Sequence, residues 1–228
     1  MDLPEAVLLD LDGTLLESEP LWLIAEQRLM DSYGLPWTHV DQQACLGGPL
    51  ERVGNYMYSR VNSADKSAPR DAPSSPDVIV TELLEIVLGL FKSEPISWRP
   101  GAQDLVSNAH ELGLPTCIVT ASWRILLDVV IEEMSQEVGS FTASIAGDEV
   151  ARSKPDPTPY IMASELLGVE AQRALAIEDS PTGVQSAVSA GARTIAVEHI
   201  APIKIQGAHV VRTLEGHTIE SLWNAARP

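Results

Sequence analysis

The 228 residues suit one medium domain or a domain with a smaller insert, and 45% hydrophobic and 21% charged residues are typical of a globular protein. The 15 basic and 32 acidic residues give a formal net charge of −17, which disfavours nucleic acid and anionic membranes as partners. The opening MDLPEAV carries acids where a signal peptide carries bases, and no apolar run approaches the roughly 18 residues of a membrane span. Cys45 and Cys117 lie far apart and need no oxidising compartment, so we expect a cytoplasmic protein with reduced thiols.

The first predicted element is the apolar strand AVLLD, residues 6–10, which is followed by LDGTL. Residues two apart in an extended segment point the same way, so Asp10 and Asp12 can face one cavity. Gly13 permits a sharp turn, and the Thr14 hydroxyl can hold the loop by a local hydrogen bond. Acids at strand ends are also common turn residues, but two adjacent carboxylates repel each other unless a cation or a shared proton relieves them.

Residues 16–95 have helical periodicity rather than strand alternation. Helices are predicted in EPLWLIAEQRLMDSYG, PLERVGNYMYSRV and DVIVTELLEIVLGLF. Between the last two, residues 63–77 are rich in Ser, Ala, Pro and Asp, so we expect an exposed, mobile loop. The simplest interpretation is a small helical domain inserted after the first strand.

From residue 96 onward, short apolar runs alternate with helical patterns. The runs TCIVT, ALAIED, RTIAVE and HVVRT are typical of strands buried on both faces of a parallel sheet. Helical spacing covers residues 102–112 and 157–167, and Gly113 and Gly168 follow as helix stops. The pattern predicts a doubly wound α/β core, residues 1–15 and 96–228, whose ligands bind at the carboxyl ends of the strands.

Three further positions in this core have ordinary structural explanations when each is taken alone. Thr120 ends the strand TCIVT, and Thr favours strands in any case. Lys154 precedes a proline-rich helix start, and a lone lysine is usually a surface residue. Glu178 and Asp179 end the strand ALAIED, and Ser180 after them can be a helix N-cap.

Taken in order with DLDGTL, these positions resemble the signatures of the haloacid dehalogenase superfamily of aspartate-dependent phosphohydrolases. The resemblance covers the chain from Asp10 to about Gly191, and the inserted helices resemble the family's cap. DGTLLESEPLW and IEDSPTGVQSA are most similar to the branch of beta-phosphoglucomutases and sugar-phosphate phosphatases. The resemblance implies a Rossmann-like doubly wound core with an α-helical cap over residues 16–95.

The resemblance also implies catalytic roles. Asp10 would attack phosphorus and form an aspartyl-phosphate, while Asp12 would protonate the leaving oxygen and later deprotonate the attacking water. Thr120 would bind a phosphoryl oxygen, and Lys154 would neutralise the charge that builds on it and on the nucleophile.

A magnesium ion is implied as the cofactor. Its expected ligands are Asp10, the main-chain carbonyl of Asp12, and Asp179, with Glu178 either a ligand or an acid just outside the ligand set. Haloalkanoate dehalogenases use neither the metal nor a second aspartate at the position of Asp12, which disfavours dehalogenation.

Residues for substrate binding are expected near Thr120 and in the cap. Ala121, Ser122 and Arg124 follow the strand end, and Trp22 lies in the first cap helix. A solvent-facing position is the more usual one for a helix residue such as Arg124, and a core position is the more usual one for Trp22, whose alternative is to pack against a sugar face. Glu17 stands where related DSEP strings carry Asp.

Two features favour a phosphatase over a mutase. By residue count, Trp22 occupies the position where beta-phosphoglucomutases carry a histidine, and Leu50 lies about where they place a phosphate-binding arginine, with Arg52 near enough to take that position instead. We therefore expect a monomeric, magnesium-dependent phosphatase of small phosphate monoesters such as sugar or polyol phosphates. A beta-phosphoglucomutase-like mutase remains the alternative.

Overall fold

The computed structural model describes residues 3–45, 50–63, 71–95, 97–200 and 202–227. The chain forms two compact units, one of Met1–Glu17 with Ile96–Pro228 and one of Ser18–Pro95. The first unit contains the strands and the second contains helices alone, among the residues described. The role of the second unit as a cap stays a prediction.

The first unit is built on one parallel sheet, as the apolar runs predicted. Its six strands are β1 (Ala6–Leu9), β2 (Thr116–Val119), β3 (Ala143–Ile145), β4 (Ala174–Glu178), β5 (Arg193–Val197) and β6 (Ala208–Val211). They lie side by side in the order β3-β2-β1-β4-β5-β6, with all neighbours parallel. The strand order changes direction at β1, and open α/β sheets bind their ligands at such a switch point.

Burial on both faces of the sheet explains why its strands lack alternation. Ala6 and Leu8 belong to a core cluster with Tyr160 of one covering helix. Val7 and Leu9 point the other way, and their exposed fraction is 1% or less. Both faces are therefore covered, as the predicted fold class requires.

Among the residues described, five α-helices belong to this unit. They are α5 (Ala102–Glu111), α6 (Arg124–Val138), α7 (Thr158–Leu167), α8 (Pro181–Ala190) and α9 (Ile219–Ala225). Helix α7 packs against β1, β2 and β3, while α8 packs against β4 and β5, and α5 contacts α6 and α9. Each of α7 and α8 ends at a glycine with positive φ, Gly168 and Gly191, since glycine reaches this conformation without a Cβ clash.

The second unit contains helices α1 (Glu19–Ser32), α2 (His39–Cys45), α3 (Leu50–Ser63) and α4 (Pro76–Ser93). Helix α4 packs against both α1 and α3 through buried residues that include Leu83 and Val87. The predicted loop over residues 63–77 lies partly outside the described residues, and of the described part, residues 71–75 precede α4 without helical structure. The LGGP turn, residues 46–49, also lies outside them.

Both cysteines are free and buried, as expected of reduced thiols. In the part of the chain that the structure describes, no helix combines the length and apolarity needed to cross a membrane.

Two buried carboxyls in the second unit have opposite environments. Asp41 accepts hydrogen bonds from Thr38 and Tyr56 and pairs with Arg60. Burial opposes ionisation of Asp41, but these partners outweigh it and lower its pKa to about 2. Glu26 accepts a hydrogen bond of 2.8 Å from the Trp37 indole, and burial raises its pKa to about 7.

Glu26→Gln should stabilise the protein increasingly as the pH rises. A carboxyl with a raised pKa takes up a proton on folding, so its contribution to stability falls between its ordinary pKa of 4.5 and its folded pKa of about 7. The stabilisation by glutamine should therefore grow by roughly 2 kcal/mol between pH 5.5 and pH 8.5, measured as the free energy of unfolding in urea. Glu85→Gln, on the exposed face of α4, is the control and should show no such growth. A pH-independent effect of Glu26→Gln would contradict the buried, protonated carboxyl.

Candidate active site

The carboxyl ends of three neighbouring strands bring the predicted site residues together. Leu9, the last residue of β1, pairs with Ile118 on one side and Ile177 on the other. Asp10 therefore emerges between the end of β2, where Thr120 lies, and the end of β4, where Glu178 lies. The main-chain N–H of Asp10 donates to the Ile177 carbonyl at 3.0 Å, which ties the start of the loop to β4.

Lys154 reaches this edge from the loop before α7 and is buried there. Its Nζ donates to Asp10 Oδ1 at 2.7 Å, to Glu178 Oε1 at 2.5 Å and to the Val119 carbonyl at 2.8 Å. Burial alone would lower the pKa of Lys154, but the two carboxylates outweigh it and raise that pKa. The two carboxylates therefore favour the charged ammonium, and each of its three N–H groups has an acceptor within hydrogen-bond distance.

Glu178 is fully buried and closely held. Its Oε1 also accepts a hydrogen bond of 2.7 Å from the Tyr160 hydroxyl, and its Oε2 lies 3.3 Å from Ser180 Oγ. The carboxylate lies directly over Gly183 in the first turn of α8, where an added Cβ would come within 2.0 Å of it. The glycine is therefore required for this close approach.

The loop after β1 turns at Gly13, whose φ is 82°, so that Thr14 lies back over the strand end. The buried Thr14 hydroxyl lies 2.8 Å from Asp10 Oδ2 and 3.3 Å from Asp179 Oδ1. The local hydrogen bond expected of Thr14 thus joins two of the predicted metal ligands. Burial, with Glu178 nearby, raises the pKa of Asp10 to about 7 against the opposing effect of Lys154, and burial raises the pKa of Asp179.

Asp12 is half-buried and is oriented from the end of β2. Its Oδ2 accepts a hydrogen bond of 2.7 Å from the Ser122 hydroxyl and lies 3.3 Å from Thr120 Oγ1. The Thr120 oxygen in turn accepts from the Ser122 main-chain N–H at 3.0 Å. Asp10 thus contacts Lys154 and Thr14, whereas Asp12 contacts the hydroxyl groups of Thr120 and Ser122.

The carboxylates fit a hard divalent cation. Asp10, Glu178 and Asp179 each offer one oxygen, and these oxygens lie within 4.8 Å of one another. Carboxylate oxygens are the ligands that Mg²⁺ prefers in proteins, and burial makes their ionised forms costly without a compensating charge. The raised pKa values of Asp10 and Asp179 express that cost.

Two predicted substrate contacts have other surroundings. The Arg124 guanidinium pairs with Glu149 through Nε at 2.9 Å and Nη2 at 2.5 Å, and it also contacts Asp128 and Ser144. These partners support a structural role for Arg124 at the start of α6. Trp22 lies half-buried in α1 of the second unit, and its role stays a prediction. Ala121 lies between Thr120 and Ser122, and its carbonyl is closely approached by Gly147.

Sequence reasoning missed His199, which lies two residues beyond β5. Its Nδ1 lies 3.1 Å from Asp179 Oδ2, and its Nε2 lies 3.4 Å from Glu17 Oε1. The available signal was its position, since RTIAVEH places a histidine just past the carboxyl end of a buried strand. A lone histidine has no spacing pattern to distinguish it from a surface residue.

Comparisons with known proteins agree with this arrangement. The family model described as haloacid dehalogenase-like hydrolase matches residues 7–197. Hexitol phosphatase B of Escherichia coli (strain K12) is 29% identical over 193 residues, covering 84% of this chain and 82% of that protein. Protein CbbY of Rhodobacter capsulatus is 32% identical over 197 residues, covering 84% of each.

The fold agrees as well. A crystal structure of CbbY from Rhodobacter sphaeroides in complex with xylulose-(1,5)bisphosphate has a TM-score of 0.80 to this chain, with 27% identity. The match covers 96% of this chain and 99% of that one. The predicted fold class and the predicted resemblance are thereby confirmed. The family match over residues 7–197 and the parallel sheet with its acidic edge show that this chain belongs to the haloacid dehalogenase-like hydrolases.

Proposed function

We propose that this protein is a cytoplasmic, magnesium-dependent phosphatase of small phosphate monoesters, and that sugar or polyol phosphates are its substrates. The observation that carries the proposal is the Asp10 carboxylate, held by Lys154 on one oxygen and by Thr14 on the other. A phosphate monoester is anionic, so its hydrolysis requires charge neutralisation and a fixed nucleophile more than any other contribution.

Asp10 has the properties of a nucleophile that forms an aspartyl-phosphate. Its two oxygens have fixed partners at 2.7 and 2.8 Å, so the carboxylate attacks from one orientation. Lys154 lies against the same group and balances negative charge that develops as the phosphorus approaches. Covalent capture divides one difficult displacement into two easier ones.

Asp12 is suited to move the proton. It is only half-buried, and the Ser122 hydroxyl orients one of its oxygens. In the first step Asp12 donates a proton to the leaving oxygen, and in the second it accepts one from the water that cleaves the intermediate. The Thr120 hydroxyl is 3.3 Å from Asp12, a long contact that it can exchange for a phosphoryl oxygen.

Asp10, Asp179 and the Asp12 main-chain carbonyl would hold the magnesium ion, with Glu178 beside them. When bound, the ion supplies positive charge to the phosphoryl oxygens and to the nucleophile. Glu178 also holds Lys154, so the lysine stays directed at Asp10.

The relatives support the substrate class. Hexitol phosphatase B and a Thermotoga maritima phosphorylated carbohydrates phosphatase, 28% identical over 191 residues, are named for such substrates. The mutase alternative requires a second phosphate site in the helical unit, where Trp22 stands in place of the expected histidine and either Leu50 or Arg52 stands at the position of the expected arginine. We therefore favour a phosphatase whose helical unit, predicted as residues 16–95 and observed as Ser18–Pro95, serves as the cap that selects the substrate.

The test of the proposed function is a substrate panel. The purified protein is incubated with Mg²⁺ and with hexitol phosphates, sugar mono- and bisphosphates, nucleotides and 2-phosphoglycolate, and released phosphate is measured with and without EDTA. We expect release from polyol or sugar phosphates that EDTA abolishes and excess Mg²⁺ restores. Release in EDTA would contradict the metal requirement. Interconversion of sugar phosphates, seen only with a bisphosphate primer, would establish the mutase.

Asp10→Asn should lower kcat by about 10³-fold or more while the protein stays folded, because the amide is a poor nucleophile and removes a buried charge. The measurements are phosphate release, thermal unfolding, and acid-stable capture of labelled phosphate on the protein after rapid quenching. Asp104→Asn, on the exposed face of α5, is the matched control and should behave as the parent. Labelled phosphate on Asp10→Asn at the parental level would refute Asp10 as the nucleophile.

Asp12→Asn should separate leaving groups by their need for a proton. We expect kcat/KM for a sugar phosphate to fall by roughly 10²- to 10⁴-fold. With p-nitrophenyl phosphate, an early burst of p-nitrophenol should persist while later phosphate release is slow, because only the second step then needs Asp12. Ser122→Ala serves as the control, since it disturbs the same oxygen and leaves the proton donor in place. If Asp12→Asn lowered kcat/KM equally for the sugar phosphate and for p-nitrophenyl phosphate, the role of Asp12 as general acid would be contradicted.

A further inference from the structure

His199 connects the acidic edge of the sheet to a second ion pair in the same unit. The ring is mostly buried, with 9% of its side chain exposed. One nitrogen lies 3.1 Å from Asp179 Oδ2 and the other lies 3.4 Å from Glu17 Oε1. Glu17 pairs in turn with Arg99 through Nη1. These four side chains form a continuous chain that ends on a predicted metal ligand.

The far end of this chain is fixed by the backbone. The main-chain N–H of Glu17 donates to the Ser97 carbonyl at 2.8 Å, and that of Arg99 donates to the Leu15 carbonyl at 2.8 Å. Burial opposes ionisation of Glu17, but the hydrogen bond and charge of Arg99 outweigh it and lower the pKa of Glu17. Arg99 therefore favours the ionised form of Glu17, and two backbone hydrogen bonds fix the segment that places Glu17 Oε1 3.4 Å from the distal nitrogen of the ring.

At the near end, the two oxygens of Asp179 have different partners. Oδ2 contacts His199, whereas Oδ1 lies 3.3 Å from the Thr14 hydroxyl, which also contacts Asp10. The histidine thus fixes the rotation of the carboxylate so that Oδ1 is the oxygen on the Asp10 side. A carboxylate that rotates freely loses orientation entropy when it binds a cation, and a fixed one does not.

We propose that His199 is a positioning residue, supported by Glu17 and Arg99, that holds the Asp179 carboxylate in the orientation required to bind a divalent cation. The inference rests on the proposed function, which assigns Asp179 to the metal. It also gives Glu17 a role other than substrate contact. The longer side chain of Glu17, where related strings carry Asp, reaches the histidine ring.

The experiment measures cation binding without turnover, by isothermal titration calorimetry of the protein with Mg²⁺ in the absence of substrate. Three variants are compared with the parent: His199→Leu, His199→Asn and His209→Leu. Leucine removes both ring nitrogens. The Asn side-chain amide can place its N–H where Nδ1 lies, so it keeps the donor to Asp179. His209 is exposed on β6 and serves as the matched control.

We expect His199→Leu to raise the Mg²⁺ dissociation constant by about tenfold or more, with His199→Asn within about threefold of the parent. His209→Leu should bind as the parent does. Thermal unfolding without Mg²⁺ identifies any variant that is merely unstable, and the Asn variant tests the hydrogen bond independently of packing.

Equal weakening in His199→Leu and His199→Asn, or no weakening in either, overturns the proposal, as does a parent that binds no Mg²⁺. Failure of the proposed function is seen separately. If the parent binds Mg²⁺ with the expected ranking of variants but hydrolyses none of the panel, the positioning role is supported and the phosphatase is not.

Discussion

Three carboxylates, those of Asp10, Glu178 and Asp179, are buried within a few ångströms of one another, and the rest of the site is organised around this concentration of negative charge. Buried charges persist only when they are paired or hydrogen-bonded. Lys154 neutralises part of the charge by contacting two of the three groups. The remaining negative charge suits the cluster to bind a cation, and the proposed function uses that cation to attract an anionic substrate that a chain of net charge −17 would otherwise repel.

The parallel sheet makes this concentration possible. Its central strand β1 has β2 and β4 as neighbours, so three strand ends deliver side chains to one place without any of them crossing the core. Neighbouring residues in an extended chain point to opposite sides, so Glu178 and Asp179 at the end of β4 point in different directions. Glu178 points toward Lys154, Tyr160 and Gly183, whereas Asp179 points toward Thr14 and His199. One strand end therefore both anchors the lysine and supplies one of the proposed metal ligands.

The sequence predicted those parts of the fold that carry a periodic or ordered signal. Four of the five other strands followed from apolar runs, as β1 did, but the three-residue β3 is too short to show a period. Lys154 lies in a loop, where hydrophobic periodicity gives no information about its position. It is identified only by its place in the ordered set of family motifs. The sequence predicts Arg124 as a substrate contact from its closeness to Thr120 along the chain, and this stays a prediction. The structure adds a partner for its guanidinium, Glu149, which is 25 residues away and which spacing alone does not reveal.

His199 is a second case in which the sequence alone does not reveal the partners of a side chain. Its importance depends on two contacts, with Asp179 and Glu17, that are 20 and 182 residues away along the chain. No local sequence pattern indicates such contacts, because they depend on the order of the strands in the sheet and not on the order of the strands along the chain. The position of Glu17 depends in addition on a short ladder of backbone hydrogen bonds between residues 15–17 and residues 97–99. This ladder lies where the chain leaves the core for the helical insert and returns from it. The residues proposed to perform the chemistry can thus be recognised in sequence, while the contacts proposed to orient them become visible only when the sheet has brought distant segments together.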